Sequence, residues 1–219
     1  MRRVLRTAIA AVGIGVGGLH LLAQALGRAP VADATQVLLM PTLAAAVLAW
    51  TRRPRTRLVR LVLVGLGFSW LGDTAPRFLG GDGAFLSMVG FFLLAQLVYA
   101  AAFWPLWRRS VLRQPILLAP YVLAAGLIAA LCAPAAGAML PVVVVYAVAI
   151  VAMAVLATGL GRLAGLGAAL FVVSDSLIAL STFGVLTVPG HGFWVMSTYI
   201  AAQALIAAAA VRHEQGEGE

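Results

Sequence analysis

The chain has 219 residues, 63% of them hydrophobic and only 10% charged, with a mean hydropathy of +1.04. Soluble domains carry about 25% charged residues, and a single soluble core of this length has no room for so much apolar side chain. The formal charge of +8 does not make a nucleic-acid surface, because the arginines sit in short clusters between apolar runs and form no extended basic face. What remains is an all-α integral membrane protein, read as a bundle of about eight transmembrane helices.

A bilayer core of roughly 30 Å takes about 20 apolar residues of helix. Spans are expected near Thr7–Leu26, Ala34–Trp50, Leu58–Ala75, Ala84–Trp107, Pro115–Ala133, Met139–Ala157, Leu163–Phe183 and Phe193–Val211. The breaks between them carry turn chemistry: Gly27-Arg28-Ala29-Pro30, Arg53-Pro54, Gly80-Gly81-Asp82-Gly83, Ala133-Pro134 and Pro189-Gly190. Residues 1–211 form one transmembrane domain on this reading. Residues 212–219, with Glu214, Glu217 and Glu219, form a polar tail expected to be disordered.

Arginines set the orientation. Arg2, Arg3 and Arg6 precede the first span; Arg52, Arg53, Arg55, Arg57 and Arg60 follow the second; Arg108, Arg109 and Arg113 follow the fourth. With Arg162 and Arg212 that places thirteen of fifteen on one side, leaving Arg28 and Arg77 opposite. The expectation is N-in and C-in, a multi-pass protein of a bacterial inner (plasma) membrane. A competing reading of the first span is a signal peptide, with Arg2-Arg3, an apolar stretch and Ala23-Gln24-Ala25 as its cleavage region; the long apolar run favours a retained helix. The single cysteine, Cys132, lies in an apolar run, so disulfides and Cys-based metal sites within one chain are excluded.

Two acids carry the functional signal. Asp33, Asp82 and the three glutamates fall in loops or the tail on this reading, whereas Asp73 and Asp175 lie within spans. A carboxylate in hydrocarbon costs at least about 2.5 kcal/mol even on the lenient insertion scale and marks function by default. Asp73 is fifteen residues past Leu58 and Asp175 twelve past Leu163, roughly 22 Å and 18 Å along helices that run in the same direction. They are expected to share one layer toward the outer leaflet. Ser69 precedes Asp73 by one helical turn, and Gly165, Gly167, Ala168 and Ala169 before Asp175 allow close helix approach.

Other polar residues within spans are few: His20 and Gln24 in the first, Gln36 opening the second, Gln96 and Tyr99 in the fourth, Tyr146 in the sixth, Tyr199 and Gln203 in the eighth. Such groups commonly satisfy one another between helices, at about 0.6 kcal/mol each. That is the plain reading for His20 and Gln24, while Tyr146 and Tyr199 suit a pocket equally well. No basic residue in any span offers the two aspartates a partner.

Phe68-Ser69-Trp70-Leu71-Gly72-Asp73 and Gly167-Ala168-Ala169-Leu170-Phe171-Val172-Val173-Ser174-Asp175 resemble the two signature segments of the YhhN/TMEM86 family, the lysoplasmalogenases. Pro141-Val142-Val143-Val144-Val145-Tyr146 through Met153 is similar to that family's sixth span, and Tyr199-Ile200-Ala201-Ala202-Gln203-Ala204-Leu205-Ile206 to its eighth. Two positions depart from the pattern. Gln36 stands where members typically carry lysine, and Gln96 stands three residues before Tyr99 where they typically carry histidine.

The resemblance implies hydrolysis of the vinyl ether of a lysoplasmalogen, with a vinyl-ether lysophospholipid as substrate, membrane lipids around it and no nucleic acid. Protonation of the β-carbon gives an oxocarbenium ion that water captures, a logic shared with two-carboxylate glycosidases. It implies Asp73 and Asp175 as the catalytic pair, with Ser69, Gln96, Tyr99, Tyr146, Ser174, Tyr199, Gln203 and Gln36 around the substrate. No cofactor or metal is called for, and a site of aspartates without His or Cys does not suit zinc. Two other classes remain open: a proton-coupled lipid or small-molecule transporter in which the aspartates relay protons, and a catalytically weakened lipid-binding member.

Overall fold

The computed structural model describes residues 2–216; Glu217 and Glu219 of the tail lie outside them. Among the described residues there are eight α-helices: α1 (Arg2–Ala25), α2 (Ala29–Trp50), α3 (Arg57–Thr74), α4 (Gly81–Phe103), α5 (Pro115–Ala136), α6 (Leu140–Ala157), α7 (Arg162–Thr182) and α8 (His191–Gly216). By length and hydropathy alone there are seven crossing runs, because Ile116–Leu160 reads as one stretch of 45 residues. At about 1.5 Å per residue that rod would be more than twice the length of a ~30 Å apolar core. Gly137, at φ +49° and ψ −125°, breaks it. Side chains rarely adopt that backbone region, and α5 folds back against α6 there.

Three boundaries differ from those read in the sequence. Helix α2 starts at Ala29, with Pro30 in its first turn, where proline's missing N–H costs nothing. Asp33 therefore sits on a helix and not in a loop. Asp82 likewise occupies the first turn of α4, where a negative charge complements the helix dipole. Helix α8 continues past Val211 to Gly216 where a disordered tail was expected. Contacts hold that extension: Thr56 Oγ1 donates to Glu214 Oε2 at 3.1 Å, and Gln215 Nε2 to the Trp50 carbonyl at 3.2 Å.

The same contacts define one end of the bundle. Arg6 Nε donates to the Ala49 carbonyl at 2.8 Å and an Arg57 guanidinium nitrogen to the Ala101 carbonyl at 2.9 Å. The Val111 amide donates to Thr158 Oγ1 at 3.0 Å. The start of α1, the ends of α2, α4, α6 and α8, and the start of α3 thus meet in one layer, the arginine-rich one. At the other end Arg77 pairs with Asp33 at 2.7 Å.

Helix pairs α1–α2, α3–α4 and α7–α8 make the most extensive contacts, and α8 is the most buried span, touching α1, α2, α3 and α7. Small residues permit these approaches, as expected where lipid offers no hydrophobic drive between helices. A Cβ on Gly65 would lie 2.4 Å from the Tyr99 ring, and one on Gly167 would lie 2.8 Å from the Ala202 carbonyl oxygen. Large apolar side chains such as Ile14, Leu123, Ile116 and Val148 point outward, as a lipid-facing surface requires. His20 is fully buried between α1 and α2. Its Nδ1 lies 2.9 Å from Thr35 Oγ1 and 3.1 Å from the Ala32 carbonyl, contacts that staple the two helices.

Two outcomes are expected. Reporter fusions after Arg60, Arg113 and Arg212 all read cytoplasmic, and a signal from the opposite side at any of them overturns the arginine-based orientation. Gly65→Ala ordinarily gains about 0.5–1 kcal/mol within a helix; here it is expected to lose about 1–3 kcal/mol in detergent unfolding, because the stacked Tyr99 ring must move. Gly67→Ala, with nothing within 4 Å, is the neutral-to-stabilising control.

Candidate active site

Asp73 comes one residue before the end of α3 and is 7% exposed. Both carboxylate oxygens accept hydrogen bonds: Oδ1 from Gln36 Nε2 at 3.1 Å, and Oδ2 from the Tyr199 hydroxyl at 2.8 Å. The orientation of the Gln36 amide is not arbitrary. Its Oε1 accepts from the Arg77 guanidinium at 2.8 Å, which leaves its NH₂ for Asp73. Arg77 follows Asp73 by four residues on the 3₁₀ turn Ala75–Phe78, and its Nε also donates to the Asp73 carbonyl at 3.2 Å. Helices α2, α3 and α8 are therefore tied together through one carboxyl group.

One turn further into the bundle, a second polar chain crosses between α4, α8 and α3. The Tyr99 hydroxyl donates to Gln203 Oε1 at 2.7 Å, and Gln203 Nε2 donates to Ser69 Oγ at 2.9 Å. Ser69, Tyr99 and Gln203 are all fully buried. They form the layer beneath Asp73.

Asp175 sits on α7, seven residues before its end, and is half-buried. It accepts a short hydrogen bond from the Tyr146 hydroxyl of α6. Neighbouring Ser174 donates to the Val195 carbonyl at 3.0 Å. Gln96 lies fully buried beside Tyr146, and its amide nitrogen and oxygen meet no partner at hydrogen-bond geometry.

A cavity of about 350 Å³ brings the two aspartates together. It is lined by Asp73, Asp175, Tyr199, Ser174 and Gln36, with Arg77 and Asp33 also on its wall. Its size is ordinary for a small-molecule site, and it lies in the arginine-poor half of the bundle. Of the residues expected around the substrate, Gln36, Ser174 and Tyr199 line this cavity, and Tyr146 reaches it through Asp175. Ser69, Tyr99 and Gln203 stand one layer back, and Gln96 is enclosed.

Sequence reasoning missed Arg77 and Asp33, having placed both in an outer loop. The four-residue spacing from Asp73 to Arg77 was the available signal, since i and i+4 share a helix face. It also missed a second, apolar cleft. That cleft lies between α4, α5, α6 and α7, has a volume of about 100 Å³, and shares Met88, Phe92, Asp175 and Ile178 with the polar cavity.

A stretch of 53 residues, 24% of this chain, is 51% identical to a lysoplasmalogenase, TMEM86B, of Rattus norvegicus. The match covers 22% of that relative's length. No solved structure matches the chain. The profile of the YhhN family matches residues 31–210, which takes in all of the bundle from α2 to α8 except its edges, and the chain belongs to that family.

Proposed function

We propose that the chain is a membrane-embedded hydrolase that cleaves the vinyl ether bond of a lysoplasmalogen to a fatty aldehyde and a glycerophospho-base. One observation carries this reading: two carboxyl groups line one polar cavity, and an apolar cleft lies beside it at one of them. A single-chain ether lipid has the same division, with its reactive double bond at the junction of chain and headgroup. The rat relative bears the corresponding name. At the cavity wall Arg77 and Asp33 offer one partner of each sign, suited to a phosphate and a cationic base.

The hydrogen bonds favour a division of labour. Both oxygens of Asp73 already accept from Gln36 and Tyr199, which suits a carboxylate. Asp175 has one oxygen engaged by Tyr146, leaving the other to carry a proton at the junction. Asp175 gives that proton to the β-carbon of the alkene, and the Asp73 carboxylate steadies the oxocarbenium ion. Water then adds to the cationic carbon and passes a proton to Asp73, forming a hemiacetal. Collapse returns the hemiacetal hydroxyl proton to Asp175 as the carbon–oxygen bond to glycerol breaks. Asp73 protonates the departing oxygen, so both acids end as they began.

Asp73→Asn and Asp175→Asn keep the shape and remove the proton chemistry. Each is expected to slow aldehyde release by at least about 10²-fold, the low end for general acid–base catalysis. Because the two act as a unit, the double variant is expected to be little slower than either. Purified protein given lysoplasmalogen and an ordinary lysophospholipid side by side is expected to consume only the former. A proton-coupled transporter releases no aldehyde from any variant, wild type included. Wild-type turnover that survives either substitution overturns the mechanism.

Gln96→His restores the family's usual side chain beside Tyr146 and replaces an amide, which can only hydrogen-bond, with a group that can also take up or release a proton. Aldehyde release is expected to stay equal or rise, and a large fall would show that the enclosed amide is itself required.

A further inference from the structure

A carboxamide presents an acceptor at one end and donors at the other in nearly the same outline. Beside a carboxylate the difference is decisive, because the NH₂ end donates while the carbonyl end sets lone pair against lone pair. Gln36 turns its NH₂ to Asp73, with Nε2 3.1 Å from Oδ1. The neighbour that tells the two ends apart is Arg77. Its guanidinium has donors and no acceptor, so it can meet only the oxygen, here at 2.8 Å.

Arg77 is itself fixed from three sides. One terminal nitrogen donates to Asp33 Oδ1 at 2.7 Å and the other to Gln36 Oε1. Asp33 and Gln36 are three residues apart on α2 and therefore neighbours on one face. The planar fork of the guanidinium spans both at once, which a lysine ammonium does not do. Arg77 Nε donates to the Asp73 carbonyl at 3.2 Å, one of the last carbonyls of α3, the acceptors that a helix end leaves short of partners. The guanidinium is thus bonded to α2 at two points and to α3 at one. The Arg77 side chain is 26% exposed, so these bonds are sheltered from most of the competing water.

We infer that Arg77 is a positioning residue of the reaction, acting on Asp73 through Gln36 by fixing which end of the amide faces the carboxylate. This role is separate from the charge that Arg77 presents at the cavity wall, and it needs no contact with the lipid. Without the fork nothing opposes a half-turn of the amide within its own outline, and Asp73 Oδ1 then faces an acceptor in place of a donor. Tyr199 is left as the remaining donor on that carboxylate. The reaction served is the hydrolysis proposed above, and the inference rests on that reading.

Arg77→Met keeps much of the stem and removes the fork. It is expected to lower kcat for aldehyde release at least about tenfold, the weight of one hydrogen bond to a charged group. The same fall is expected with an alkenylglycerol, which has the vinyl ether but neither phosphate nor base. A rise in KM for lysoplasmalogen alone, with alkenylglycerol turnover untouched, assigns Arg77 to the headgroup and overturns the inference. Gln36→Lys places an ammonium beside Asp73, a group with donors only and no end to be chosen. In that background Arg77→Met is expected to cost no more than about twofold, because the two positions act as one unit. A tenfold loss that persists there also overturns the inference. Should Gln36→Lys fail to fold, Gln36→Met closes the same cycle. A readout free of turnover is the NMR signal of the Gln36 side-chain NH₂, identified by its loss in Gln36→Met. Its hydrogen-bonded proton is expected to shift upfield in Asp73→Ala and equally in Arg77→Met. An unshifted proton in Arg77→Met sinks the relay even if aldehyde is released, whereas the shift in a protein that releases none leaves the relay and removes the hydrolase.

Discussion

A carboxyl group carried into an apolar bundle must find its hydrogen-bond donors within that bundle, and this constraint organises the structure. Asp73 satisfies it with Gln36 from α2 and Tyr199 from α8. Asp175 does so with Tyr146 from α6. Each acid therefore recruits helices distant in sequence, and the two groups of helices meet around a shared cavity. Removing a donor strands a buried acceptor, which costs more than the bond contributed when made. The polar groups act as a register device for the helices as well as a site.

The partners also set one another. Arg77 holds the Gln36 carbonyl oxygen, and so turns its NH₂ toward Asp73. Arg77 is in turn held by Asp33, on the helix that carries Gln36. Glutamine at this position keeps a donor on the carboxylate without adding a charge, which lysine would bring. The second chain, Tyr99 to Gln203 to Ser69, locks α4, α8 and α3 one turn deeper. It is sealed by Gly65, where anything larger would strike the Tyr99 ring. Rigid support under a reactive group is what keeps a catalytic arrangement within tolerance.

Aromatic rings then divide the space the acids share. Phe92 stands edge-on to Phe171 and Tyr199, and Gly72 lets it lie close, since a Cβ there would come within 2.9 Å of the ring. On one side is a polar cavity with charges on its wall; on the other, a cleft lined mainly by apolar side chains. Such a boundary suits an amphipathic ligand, with a reactive carboxyl at the border and not in either compartment. The signature segments around Asp73 and Asp175 contribute more than their acids: Gly72 seats Phe92, Gly167 admits α8, and Phe171 packs edge-on against Phe92 and Tyr199.

Much of this was present in the linear sequence. Hydrophobic runs of bilayer length specified the helices, because a span is decided by local composition. Thirteen arginines in alternate loops marked one end of the bundle, and the structure gathers those loops into one layer through Arg6, Arg57, Thr158 and Glu214. Asp73 and Asp175 stood out because charge is expensive in hydrocarbon wherever it falls. What local composition does not encode is which side chains meet across helices. Arg77 and Asp33 read as loop residues until the 3₁₀ turn after α3 and the early start of α2 brought them to the cavity. Ser69 and Gln203 read as pocket residues until packing placed them beneath it. The apolar cleft left no mark at all, since Ala129 facing it and Ala130 facing outward are the same residue in sequence. Only the rotation of α5 about its axis, set by its contacts with α6 and α7, tells them apart.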